Sequence, residues 1–116
     1  MRPWLAVVGV GEDGLAGLAP SGRALVETAE VLVGGARHLG MVPQSGAKRL
    51  LWQRPLDRTI ETIAAQRGRN VTVLASGDPL WYGVGVTLLR RFPLHEITIV
   101  PQLSAFNLAA ARLRWR

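Results

Sequence analysis

Short apolar runs alternate along the chain with stretches whose apolar residues recur at helical spacing, the pattern of an α/β domain with a largely parallel sheet. Five runs read as strands: Trp4 to Val8, Val31 to Val33, Leu50 to Trp52, Val71 to Ala75 and Ile97 to Val100. Between them, the spacing predicts a helix over Pro20 to Glu30 that buries Leu25, Val26 and Ala29. A second runs from Leu56 to Arg67 with Leu56, Ile60, Ile63 and Ala64 inward, and a third from about Leu80 to Arg91. Arg90 and Arg91 suit the negative end of that helix dipole, and Ser104 is placed to cap a fourth helix ending near Leu113. Gly68-Arg69-Asn70 and Pro43 to Gly46 read as turns, with no internal repeat or linker. The expected architecture is a single three-layer α/β lobe with a mostly parallel five-stranded sheet.

In such a sheet the loops leaving the carboxyl ends of the strands gather along one edge, where ligands bind. Glycines and small polar residues fall at these loops: Gly9, Gly11 and Gly14 after the first strand, Gly34 and Gly35 after the second, Ser76-Gly77-Asp78 after the fourth, and Pro101 to Ser104 after the fifth. "VVGVGEDG" satisfies G-x-G-x-x-G directly after a strand, so NAD binding has to be weighed. Two details oppose it: the helix waits until about Pro20, and Gly34-Gly35 stand where an acid would hold the ribose. A glycine turn needed only for backbone shape is the plainer alternative. In "VLASGDPLWYG", Asp78 reads as a helix cap and Pro79 as a first-turn residue, which leaves Gly77 and the aromatics Trp81 and Tyr82 in want of a reason.

At 116 residues, 48% of them hydrophobic and 19% charged, the chain suits one globular domain. No apolar run approaches the roughly 20 residues that cross a bilayer, and "WLAVVGVG" breaks at glycine before a signal-peptide core forms, so a cytoplasmic location and no membrane partner are expected. Without cysteine there is no disulfide, cysteine-zinc site or thiol nucleophile, and His38 and His95 lie too far apart in sequence to suggest a metal site. The net charge of +6 favours an anionic partner: nucleic acid, phosphate or polycarboxylate. Arg112, Arg114 and Arg116 read as a solvated helix end or a cut boundary.

Together, "VVGVGEDGLAGLAP", "AEVLVGGARHL", "LASGDPLWYGVGVTLLRR" and "VPQLSAFNLAAARL" resemble the N-terminal lobe of the tetrapyrrole (corrin/porphyrin) methylases that use S-adenosylmethionine. Gly-Gly-Ala-Arg-His at 34 to 38 points to the branch acting on precorrin-6Y, since other branches usually carry a Tyr-Asp or similar pair there. The resemblance implies that residues 1–116 form the N-terminal half of that fold, with a second lobe absent from the chain. It implies S-adenosylmethionine-dependent C-methylation of a precorrin, at C5, in cobalamin biosynthesis, with S-adenosylhomocysteine as product. The cofactor positions it implies are Gly9, Gly11, Glu12, Ser76, Gly77, Asp78, Trp81, Ser104 and Ala105. Glu12 stands where the family usually has the proline of "GPGD", so its contact is expected through the main chain. Pro101-Gln102 departs from the family's glycine after proline, which alters the loop before Ser104. Gly77 would let a ligand approach the backbone, while Trp81 or Tyr82 would pack on the cofactor or the macrocycle, with core packing the competing reading for Trp81. Gly83 would let the following helix sit tightly on the sheet.

Methyl transfer from a sulfonium is an in-line displacement that needs alignment and exclusion of water rather than a protein nucleophile. The catalytic base is left unassigned: His38 is a candidate, against a plain surface or core histidine. Arg37 and Arg54 are candidates for the substrate's carboxylates. An isolated lobe is expected to have little activity, and either to fold alone or to associate with itself through the face that would meet a second lobe. The competing classes are an NAD-binding oxidoreductase domain, an RNA-directed methylase of the same superfamily, which the basic charge fits and the segment 34 to 38 opposes, and a non-catalytic interaction lobe.

Overall fold

The computed structural model describes residues 3–11, 14–53, 56–76 and 84–100. Five parallel strands form one sheet: β1 (Leu5–Val10), β2 (Val31–Gly34), β3 (Lys48–Leu51), β4 (Val71–Ser76) and β5 (Ile97–Val100), in the order β3-β2-β4-β1-β5. The described α-helices are α1 (Pro20–Glu27), α2 (Ala36–Gly40), α3 (Leu56–Ala64) and α4 (Val84–Arg91), with 3-10 turns at Gly14–Gly17 and Leu94–Glu96.

Alternation along the strands feeds two cores. Leu5 and Val7 of β1, Val31 and Val33 of β2, and Val71 and Val73 of β4 pack with Ile60, Ile63, Leu88 and Phe92 of the α3–α4 side. Val8 and Val10, with Leu32 and Leu74, face the opposite way onto Leu18, Val26 and Leu39 on the α1–α2 side. A parallel sheet covered on both faces needs apolar residues at every position, which is why β1 reads as the unbroken run LAVVGV and is buried throughout. Thr72 is buried on the α1 face because its hydroxyl donates to the Leu25 carbonyl at 2.9 Å. Gly22 lets α1 lie close to the sheet, since a Cβ there would stand 3.2 Å from Val100 Cγ1 and 3.4 Å from Val8 Cγ1.

At the amino end of the sheet, side chains interlock. The Trp4 indole donates to Glu96 Oε1 at 2.7 Å, and Arg67 Nε lies 3.1 Å from the same oxygen. Phe92 meets the Trp4 ring edge to face at 5.4 Å, and the Arg67 guanidinium lies over both rings. A carboxylate as buried as Glu96 is tolerable only because these donors replace its water.

The expected strands all form, with shifted ends. β3 begins at Lys48 and ends before Trp52, and α1 stops at Glu27, where the hydroxyl of the next residue, Thr28, donates back to the Ala24 carbonyl at 2.7 Å. Leu56, expected inward, is 41% exposed as the first residue of α3, while Thr59 takes a buried place and its hydroxyl accepts the Gln53 amide at 2.8 Å. The expected helix start at Leu80, the Asp78 cap and the helix from Ser104 to Leu113 lie outside the described residues.

Ile63 has no solvent exposure whereas Leu94 is 72% exposed. Ile63→Ala is therefore expected to lower unfolding free energy by about 2–5 kcal/mol. Leu94→Ala should change it by less than about 0.5 kcal/mol, both read from urea midpoints at constant slope.

Candidate functional site

The strand order creates one place where the chain's direction of winding reverses. From β1 the chain leaves toward the α1–α2 layer, and from the adjacent β4 it leaves toward the α3–α4 layer. The crossovers that follow these two strands lie on opposite faces of the sheet beyond the register pairs Gly9↔Ala75 and Val10↔Ser76, and in sheets of this kind ligands bind in the crevice outside the carboxyl ends of such a pair.

Gly9 is buried within β1, Gly11 follows at the strand's end and is partly exposed, and Ser76 is the last residue of β4. The geometry brings these three sequence-predicted positions to the same crevice. Glu12, Gly77, Asp78, Trp81, Ser104 and Ala105, along with Tyr82, Gly83, Arg54 and Pro101-Gln102, lie outside the described residues.

After β1 the chain turns tightly, with the Gly14 amide donating to the Gly11 carbonyl at 3.1 Å and Gly14 at φ +60°, a conformation that favours glycine. A 3-10 turn follows, and α1 opens only at Pro20. A dinucleotide-binding loop would open its helix at the third glycine. The end of β2 opposes that reading too. Gly34 is buried, and a Cβ on it would approach Leu74 Cβ to 3.3 Å, so any side chain there would crowd Leu74, and no acid stands at this position to hold a ribose.

Sequence reasoning did not find α2. This short helix packs against β2 and β4, and Met41 just beyond it meets Gly14, where a Cβ would lie 3.5 Å from Met41 Cβ. The α2 segment thus joins the ends of β2, β4 and β1 along one face. Arg49, from β3, clasps it in place: Nη1 donates to the Leu39 carbonyl at 2.7 Å, and Nη2 donates to the Val42 carbonyl at 2.9 Å and the Pro43 carbonyl at 2.7 Å. A guanidinium among carbonyls at the helix's carboxyl end suits both its fork of donors and the dipole. The one signal for this in the sequence is a charged residue directly before the strand-like run Leu50 to Trp52.

Arg37 is exposed on α2 and His38 is half-buried. Burial, and then the Arg37 charge, hold the His38 imidazole below its ordinary pKa of 6.5, so it is neutral at pH 7. Among the described residues no group of three or more His, Cys, Asp or Glu is placed to hold a metal ion, and no helix is long and apolar enough to cross a membrane. A hollow of about 110 Å³ at the opposite pole, lined by Trp4, Thr28, Asn70 and Thr98, is small beside the few hundred Å³ of ordinary ligand sites.

Residues 5–116 match the model of the tetrapyrrole (corrin/porphyrin) methylases. A precorrin-6Y C(5,15)-methyltransferase (decarboxylating) from a Sinorhizobium species is 47% identical over 116 residues, covering 99% of this chain and 28% of its own length. A cobalt-precorrin-7 C(5)-methyltransferase from Salmonella typhimurium is 36% identical over 108 residues, 93% of this chain and 54% of its own. The X-ray structure of the cobalamin biosynthetic enzyme cobalt precorrin-4 methyltransferase, CbiF, superposes with TM-score 0.68 at 24% identity, over 95% of this chain and half of that one. The methyltransferase CobJ superposes with TM-score 0.66 at 30% identity, over 96% of this chain and 51% of that one. The chain therefore spans between 28% and 54% of the length of these curated relatives.

Removing the clasp should loosen the site without unfolding the sheet. Arg49→Met is expected to raise amide exchange at Val42 and Met41 by at least about tenfold while Val7 and Val73 keep their protection, as read by native-state hydrogen exchange.

Proposed function

The chain belongs to the tetrapyrrole (corrin/porphyrin) methylases, and from that premise we propose that it forms the N-terminal, cofactor-contacting lobe of an enzyme that methylates a precorrin carbon, the C5 position, in cobalamin biosynthesis. The observation that carries this reading is the crevice at the β1–β4 exit, where Gly9, Gly11 and Ser76 converge with no side chain of Gly11 to bar a ligand from the main chain.

The proposed donor is S-adenosylmethionine, whose sulfonium supplies an already activated methyl group. Around it, the chain's own residues bind, orient and exclude water. Main-chain groups at Gly9, Gly11 and Glu12 would hold one side of the donor, and Ser76, Gly77, Asp78 and Trp81 the other, with Ser104 and Ala105 closing the pocket from beyond β5. The exposed guanidinium of Arg37, beside this edge, is suited to the peripheral carboxylates of a precorrin, in keeping with the chain's net charge of +6. A second lobe would complete the cleft and bring the macrocycle over the methyl group. In-line transfer then requires alignment above all, and alignment is what a strand-anchored loop edge supplies.

Calorimetric titration of the chain with S-adenosylhomocysteine tests the reading, with NAD as control. Saturable binding of S-adenosylhomocysteine alone is expected, lost in Gly77→Val, whose added side chain would fill the approach to the backbone, and weakened in Asp78→Ala. Binding of NAD alone would overturn the proposal.

A further inference from the structure

Replacing a ring hydrogen by a methyl group leaves one proton to remove. The ring carbon bonds to the methyl carbon while the carbon–sulfur bond breaks, its electron pair staying on sulfur. The positive charge thereby passes to the macrocycle, and the C–H electron pair returns to the ring as the proton departs. A C–H beside such a cation is acidic, so a weak base suffices provided that it is unprotonated and close.

Among the described residues following β1, β2, β4 and β5 on the ligand edge, the ionisable side chains are Arg37 and His38 of the α2 segment. Arginine holds its proton at any accessible pH and cannot serve. Asp57, after β3, is exposed in the first turn of α3 on the opposite face. We propose that His38 accepts the proton released from the methylated ring carbon, an assignment that rests on the methylase reading.

The placement of α2 supports this role. The helix follows the end of β2, packs on β4, and reaches the turn after β1 through Met41 and Gly14, so His38 belongs to the same edge as the crevice. Gly34 makes room for it: a Cβ on Gly34 would lie 3.7 Å from His38 Cβ. Burial and the Arg37 charge beside it on α2 both disfavour the protonated imidazole, and Arg49 of β3 binds the carbonyl of the next residue, Leu39. Glu12, Asp13 and Asp78 lie outside the described residues. Burial beside a cation keeps the base form populated before transfer, and afterwards it favours loss of the captured proton to solvent, which the half-exposed ring can reach.

The test uses the full natural polypeptide and follows S-adenosylhomocysteine formation from a precorrin substrate between pH 5 and 8, with S-adenosylhomocysteine affinity measured in parallel. Wild-type kcat should fall as pH drops through a pKa below 6.5, because protonation removes the acceptor. His38→Gln should lower kcat by about 100-fold or more and abolish that acid limb, with KM and cofactor affinity within about threefold of wild type. A kcat within twofold of wild type and an unchanged limb would overturn the assignment. If His38→Gln also loses cofactor affinity, His38→Ala with added imidazole decides: recovered kcat supports the role and no recovery overturns it. A wild-type protein that binds S-adenosylhomocysteine and turns over, with variants unaffected, isolates failure of this inference. A wild-type protein that does neither overturns the methylase reading, and this assignment with it.

Discussion

A pair of parallel strands covered on both faces can meet a ligand only at its ends, and in this chain β1 and β4 are that pair. Leu5, Val7 and Val73 are sealed under α3 and α4, and Val8 and Leu74 under α1 and α2, so neither face is open to solvent or substrate. The chain must therefore leave β1 on one side of the sheet and β4 on the other. In sheets of this kind that switch of faces is what places a ligand crevice at the strand ends.

The two poles of the sheet are built in opposite ways. At the amino end, Trp4, Glu96, Arg67 and Phe92 fill the space with rings and a buried carboxylate held by two donors. Beside it lies a hollow of only about 110 Å³, with a wider, open one of about 400 Å³ among Glu30, Gly46, Lys48 and Arg69 at the same end. At the carboxyl end the chain uses glycine at positions 9, 11, 14 and 34, and stiffness comes from behind, through Arg49 and its three carbonyl partners. Fixing the α2 segment from the edge strand leaves the main chain at the ends of β1 and β2 free of bulky side chains of its own, a compromise that suits a binding edge.

The inner strands β1, β2 and β4 were legible in the sequence because burial on both faces demands nearly continuous apolar runs, and β5, at one edge and only partly buried, still carries the run ITIV. The rule weakens at the sheet's margin. β3 is an edge strand, begins with Lys48 and Arg49, and so sat two residues earlier than its apolar portion suggested. α2 escaped notice because five residues bracketed by glycine carry too little periodicity to register. Thr59 is buried although the spacing of apolar residues on α3 did not include it, because its hydroxyl accepts the Gln53 amide. Of the candidate site, Gly11 was legible as a residue just past β1, whereas Gly9 and Gly34, expected after their strands, lie within β1 and β2 because both strands run further than their first apolar residues suggested. The electrostatic setting of His38 could be read only in part, since Arg37 stands beside it in the sequence but the burial that does more to lower its pKa appears only in the fold.

The central claim of the proposed function is that ligand binds at the carboxyl ends of β1 and β4. Backbone amide NMR of the chain titrated with S-adenosylhomocysteine tests it most directly. The account predicts shifts concentrated at Val10, Gly11, Gly34 and Ser76, with Trp4, Asn70 and Thr98 unmoved. Saturable shifts centred on Trp4, Asn70 and Thr98, at the opposite pole, would contradict it.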